Sequence, residues 1–210
     1  MLLEVDPLFP LFFPIIIFGI IILTVIIAII YSIKKGNELK KVLESQAIKR
    51  NGEVKRAFGG FGYPQLNFEY DFNKFKIFSV PGGKNRPPFT YVDVTLVNST
   101  IHRMRLYKEG FSSKIGKKLG MQDIEVGIDS FDNDIIIKGS DENFIRSLLI
   151  YKVQDKVLKI IRNHKASITL NQNRLVIFVQ KVVYEDFVYD DLIDTAIAII
   201  DQFKEIHIKF

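Results

Sequence analysis

IIIFGIIILTVIIAIIYSI, Ile15 to Ile33, is a run of nineteen residues softened only by Gly19, Thr24, Tyr31 and Ser32, and the wider stretch from Pro7 contains no Asp, Glu, Lys, Arg, His, Asn or Gln. A helix rises about 1.5 Å per residue, so this run matches a hydrocarbon core of about 30 Å. Ile on every face leaves no polar side to turn towards water, which argues against the core helix of a soluble domain. A cleaved signal peptide has a basic start and small residues before the cut, whereas this chain starts MLLEVD and continues YSIKKG after the apolar run. The stretch reads as a transmembrane helix. Pro10 and Pro14 lie at its outer end, where a missing N–H costs little, so the regular helix is expected to start close to Pro14 with LFPLFF in the interface.

Charge sets the direction. Glu4 and Asp6 precede the span with no Lys or Arg, while Lys34, Lys35, Lys40 and Lys41 follow it at once. The positive-inside rule then predicts a single-pass protein of the cell membrane, with the N-terminus outside and the soluble domain in the cytoplasm. About 175 residues remain past the anchor, which fits one domain with a real core. The expected division is 1–33 for the short external N-terminus and span, 34–50 for a basic juxtamembrane helix or linker, and 51–210 for the soluble domain.

The net charge of +5 hides a split. From Lys34 to Lys118 there are 18 Lys and Arg against 7 Asp and Glu; from Leu119 to Phe210 there are 11 against 15. A basic membrane-proximal half suits anionic headgroups, which attract each basic residue by about 1 kcal/mol. Nucleic acid explains the same charges less well, since no RNP-like, zinc-finger or helix-turn-helix signature accompanies them. With no cysteine in the chain, disulfides, thiolate metal sites, cysteine nucleophiles and palmitoylation are excluded.

Past the span, ELKKVLESQAIKR (38–50) places Leu39, Val42, Leu43 and Ile48 at helical spacing, predicting a short helix, ended by Gly52, that docks on the domain or pairs with a copy of itself. QLNFEYDF sets Leu66, Phe68, Tyr70 and Phe72 at period two; FKIFSV follows an Asn73-Lys74 turn, and YVDVTLV is a further β-branched run, together an antiparallel meander. HRMRLY predicts another strand, with Met104 and Leu106 inward and Arg103, Arg105 and Tyr107 outward. The Gly- and Pro-dense AFGGFGYP (57–64) and VPGGKNRPP (80–88) read as loops, and FSSKIGKKLG (111–120) as a short amphipathic turn or helix. DIIIK (134–138) reads as a buried strand, then come a helix capped by Ser140 or Asp141, a second helical segment, a hairpin joined by NQN, and a closing helix from Asp190 to Ile206. The closing helix has a broad apolar face that must cover a sheet. The fold class is therefore α+β: an N-terminal transmembrane helix followed by one soluble domain, a mainly antiparallel sheet with helices packed on one face.

RMRLYKEGFSSKIGKKLGMQDIEVGIDSFDNDIIIKGSDENFIRSLL, Arg103 to Leu149, resembles a set of uncharacterised prokaryotic membrane-anchored proteins of the domain-of-unknown-function type. In these a basic strand leads to a G-x-Q-D-I-E-x-G segment, a Phe-Asp turn, a short apolar strand and a capped helix ending in Leu-Leu. The resemblance implies a shared fold; it carries no activity and no catalytic residue.

Gly82-Gly83-Lys84 is no phosphate loop, because the places that require Gly and Ser or Thr hold Phe78 and Asn85. Gly59, Gly60 and Gly62 lack the following helix of a dinucleotide fingerprint. Asp123, Glu125, Asp129, Asp132, Asp134, Asp141 and Glu142 are the densest carboxylates, but they lack the spacing of a Ca²⁺ loop and suit turns and caps; no metal site and no cofactor is assigned. His102, His164 and His207 fall in different elements with no paired motif, and none is named as catalytic. The strongest contact candidates are Arg103, Arg105, Lys108, Lys114, Lys117 and Lys118, interleaved with Tyr107 and Phe111; the competing reading is a solvated basic face.

The sequence thus favours a non-enzymatic single-span protein, anchored in the lipid bilayer by its N-terminal helix, whose cytoplasmic domain is an interaction or assembly module. Its partners would be anionic lipid headgroups, a protein or a further copy of itself. The alternatives are a membrane-tethered hydrolase or transferase acting on an anionic substrate through the acidic region, and an anionic-lipid-binding domain.

Overall fold

A computed structural model describes residues 9–56, 63–108, 122–127 and 129–208. Two compact units divide the chain, Met1–Glu38 and Leu39–Phe210. Helix α1, Phe9–Arg50, is 42 residues long and passes from one to the other without interruption.

In the first unit α1 supplies a helix long and apolar enough to cross a membrane, with its apolar window wholly exposed. The helix starts at Phe9 rather than near Pro14, which lies inside it. Pro14 is tolerated there because the hydrogen bond it forgoes belongs to the opening turns. Thr24 returns its hydroxyl to the Ile21 carbonyl at 2.7 Å, so its polarity is spent inside the helix.

The second unit begins within the same helix. The expected separate helix over 38–50 is instead the end of α1, since no proline or cap interrupts the backbone and a Lys40 to Glu44 pair supports the turn. The helix stops at Asn51, whose left-handed φ of +51° lets the Gly52 N–H reach back to the Ala47 carbonyl at 2.9 Å. A side chain at Gly52 would meet the Asn67 carbonyl and the Leu66 side chain at 2.9 Å, so glycine lets the helix end press against the sheet.

Among the described residues nine strands follow: β1 Glu53–Arg56, β2 Pro64–Tyr70, β3 Asn73–Val80, β4 Phe89–Thr95, β5 Arg103–Lys108, β6 Gln122–Asp123, β7 Ile135–Gly139, β8 Ser167–Asn171 and β9 Arg174–Val179. They form one sheet in the order β1-β2-β3-β4-β9-β8-β5-β7-β6, with every described pairing antiparallel. The β2–β3 turn is Asp71-Phe72, both at positive φ, rather than Asn73-Lys74. Asn73 is buried in β3, where its amide donates to the Tyr70 and Asp71 carbonyls and accepts from the Val97 N–H. Phe72 therefore sits exposed at the hairpin tip, out of the inward series of Leu66 and Phe68.

The remaining helices are α2 Asp129–Asp132, α3 Glu142–Leu148, α4 Tyr151–His164 and α5 Asp186–Ile208. Asp141 caps α3, accepting from the Phe144 N–H at 2.7 Å. One sheet face, carrying Leu66, Ile77, Val92, Leu106, Ile168 and Ile177, is buried together with Leu39 and Leu43 of α1, Leu148 of α3, Val157 of α4 and Leu192 and Ile199 of α5. This is the α+β arrangement of a mainly antiparallel sheet with helices on one face. The closing helix starts at Asp186, four residues earlier than its apolar stripe suggests, because the opening turn is held by polar contacts to α1. The segment 111–120 lies outside the described residues.

Candidate contact surface

Strand alternation leaves the other sheet face to be read off the register. In one row across it lie Gln65, Phe78, Tyr91, Phe178 and Ser167, from β2 to β8. A second row runs through Asn67, Lys76, Asp93, Val176, Thr169, Arg105, Lys138 and Asp123. Among the described residues no helix covers this face.

The first row is aromatic. Phe78 stacks on Tyr91 with ring centres 5.1 Å apart, and Phe89, two residues before Tyr91, closes on it at 5.8 Å and on Phe178 at 5.9 Å. All four rings are half-buried. Lys76 places its ammonium 5.3 Å from the Phe78 ring centre, which cation–π attraction favours. Both carboxylates of the second row are paired: Arg174 forks onto Asp93, and Lys138 bonds Asp123 at 2.8 Å. Hydrogen bonding to Asp123 holds the Lys138 ammonium above the ordinary lysine range.

The contact candidates from sequence separate here. Arg103 and Arg105 lie on this face; Lys108 has the opposite phase and is exposed at the end of β5; Lys114, Lys117 and Lys118 lie outside the described residues. Arg103 is exposed, but Arg105 and Tyr107 are only 8% and 6% exposed, so they are not the solvated outer side that alternation suggests. β5 lies inside the sheet between β8 and β7. The Arg105 guanidinium lies over the Tyr107 ring at 5.2 Å.

The carboxylates of the acidic region do structural work. Asp132 accepts from the Val126 and Gly127 N–H groups, Asp134 pairs with Arg162, and Asp141 caps α3. Among the described residues no three His, Asp or Glu side chains converge as a metal site would need. His102 stacks on Phe144 at 4.5 Å, and His164 bonds Asp191 at 3.1 Å, so these two histidines are far from sharing a task.

No family model matches the chain, and no curated protein sequence matches it. The fold has a solved counterpart. The crystal structure of the mycobacterial trehalose monomycolate transport factor A, TtfA, is similar over 80% of this chain and 93% of that chain, with a TM-score of 0.57 and 10% sequence identity. At that identity the likeness is one of fold.

The aromatic row went unread in the sequence although its signal was there. Phe78, and then Phe89 and Tyr91, alternate with the buried Ile77, Thr90 and Val92. The alternation assigns them to one face; that they line up across strands depends on the register.

Proposed function

We propose that this is a single-span membrane protein whose domain is a non-catalytic interaction or assembly module, held in the cytoplasm at the inner face of the membrane. The observation that carries the reading is the row of half-buried rings, Phe78, Phe89 and Tyr91, on a sheet face that no described helix covers, in a chain that also supplies a helix long and apolar enough to cross a membrane. Aromatic side chains offer large contact area at little conformational cost, and they are enriched where one molecule meets another. Under this reading α1 fixes the domain at the bilayer and the face receives what the module binds. The similar fold of TtfA, a trehalose monomycolate transport factor, is compatible with a role of that kind.

A photo-crosslinking amino acid at Tyr91, introduced into the full chain in living cells, tests the assignment. The expected result is a discrete adduct at position 91 and none from the same group at the exposed Asp155 of α4. Equal adducts at both positions, or none at Tyr91, would contradict it.

A further inference from the structure

A cavity of about 540 Å³ opens where the β4–β5 connection, α3 and the C-terminal part of α5 meet, with Ile101, His102, Asp141, Phe144, Ser147 and Ile206 among its lining residues. No residue of the aromatic row lines it. Its walls are held in place from both sides. The buried Thr100 donates its N–H to the Gln172 carbonyl at 3.1 Å and accepts the His102 N–H on its hydroxyl at 3.0 Å, which ties the β4–β5 connection to the β8–β9 turn. Gln202 donates to the Ser147 carbonyl at 2.9 Å, which ties α5 to α3.

The lining is mostly apolar. His102 stacks on Phe144 with ring centres 4.5 Å apart, and Phe144 meets Phe203 edge-on at 6.2 Å, so the half-buried imidazole is the outer ring of three. Ile101, next to it in the chain, is 89% exposed, the most exposed large apolar side chain among the described residues. Asp141 is the one carboxylate in the lining. Its Oδ1 accepts the Phe144 N–H at 2.7 Å, whereas Oδ2 has no hydrogen bond or ion pair among the described residues. Among those residues no Lys or Arg lines the cavity, so an anion would find no partner and would meet the carboxylate.

We propose that this cavity binds a small aromatic amine, its ring against His102, Ile101 and Ile206 and its ammonium on Oδ2 of Asp141. The volume lies within the roughly 300–1,000 Å³ of small-molecule sites. A flat ring extends the stack that His102 now ends and takes Ile101 out of water. The ammonium gains a charge-assisted hydrogen bond, and the full charge of Asp141 outweighs the partial positive charge, about half an elementary charge, at the start of α3. Asp141 then has two tasks, one for each oxygen: Oδ1 fixes the helix and Oδ2 fixes the ligand.

The test uses the full chain in phosphatidylcholine nanodiscs with tryptamine as the probe. The chain has no tryptophan, so indole emission reports the probe alone, and its anisotropy is read against empty nanodiscs. Saturable binding above the empty discs is expected. Binding should be about tenfold weaker for indole-3-propionate, which reverses the charge, and for Asp141→Asn, as loss of a charged hydrogen bond implies. Asparagine caps a helix as well as aspartate does, so that variant should keep its Tm; the charge-reversed probe tests the wild type whatever the variant's fold. Asp155→Asn, on the exposed side of α4, should bind as the wild type does. Cyclohexylethylamine, an amine with no aromatic ring, should displace tryptamine only at several-fold higher concentration. No saturable binding above the empty discs, equal binding of the propionate, undiminished binding by Asp141→Asn, or displacement by the cyclohexyl amine at equal concentration would overturn the proposal.

Discussion

At Thr90 one hydroxyl serves three partners. It lies 2.9 Å from the Ser79 hydroxyl, donates to the Lys181 carbonyl at 2.8 Å and accepts from the Val183 N–H at 3.0 Å. Its single proton is spent on Lys181, so Ser79 must be the donor between the two hydroxyls. Tyr189 completes the knot by donating to the Val183 carbonyl, and burial pushes its phenol well above the ordinary range. Thr90→Val keeps the shape and strands the buried Val183 N–H, so it should cost roughly 2 kcal/mol. An unchanged urea midpoint would show that the knot contributes nothing. Gly139→Ala is a second test, since a Cβ there would sit 2.6 Å from Ile124 and 2.9 Å from Ile145 side-chain atoms. Overpacking of this kind costs about 1–3 kcal/mol, and the same denaturation curve reads it. At this scale the sequence was legible where alternation decides: Met104 and Leu106 are fully buried on the helix-covered face. It was not legible for Arg105, whose burial on the other face leaves no mark in the alternation.

Among the elements, the end of α1 shows best how polar contacts position apolar ones. Gln46, fully buried, donates to both Asp186 and Asp190, while Lys49 pairs with the same two carboxylates and Arg50 reaches Asp190 and Asp194. The stripe of Leu39, Val42, Leu43 and Ile48 was readable as helical, yet Ile48 is 85% exposed and the buried places go to Gln46 and Ala47. A glutamine reads as solvent-facing until its partners, 140 residues away, are known. Burial pushes the Asp186 and Asp190 carboxyls up, but hydrogen bonds from Lys49 and Gln46 outweigh it and hold both below the ordinary range. A carboxyl depressed in the folded state stabilises above its unfolded pKa of about 4 and loses that contribution as pH falls through the folded value. The wild type should therefore lose stability on acidification below about pH 4 more steeply than Asp186→Asn/Asp190→Asn, and parallel curves would contradict the clamp. Gln46→Ala removes a fully buried donor from two half-exposed carboxylates and should cost roughly 0.5–1.5 kcal/mol at neutral pH, measured by thermal melting.

For the whole molecule, the strands were legible one by one but their order was not. The β8–β9 hairpin inserts between β4 and β5, a non-local pairing with no local signature, and it is this insertion that makes β5 an interior strand. The domain boundary likewise follows packing: Leu39 and Leu43 are buried in the core, so the folded unit starts before residue 51. A fragment starting at Leu39 should melt cooperatively, whereas one starting at Asn51 loses two buried leucines worth about 1.5–3 kcal/mol each and should melt far lower. Equal melting of the two fragments would separate α1 from the domain. The most direct measurement is of membrane topology, for which the absence of native cysteine leaves a clean background. Lys152→Cys puts a single thiol on the exposed side of α4, to be challenged with a membrane-impermeant maleimide in intact and in permeabilised cells. Labelling only after permeabilisation is the result expected of a membrane-anchored domain in the cytoplasm; labelling of intact cells, with the domain outside, would contradict it.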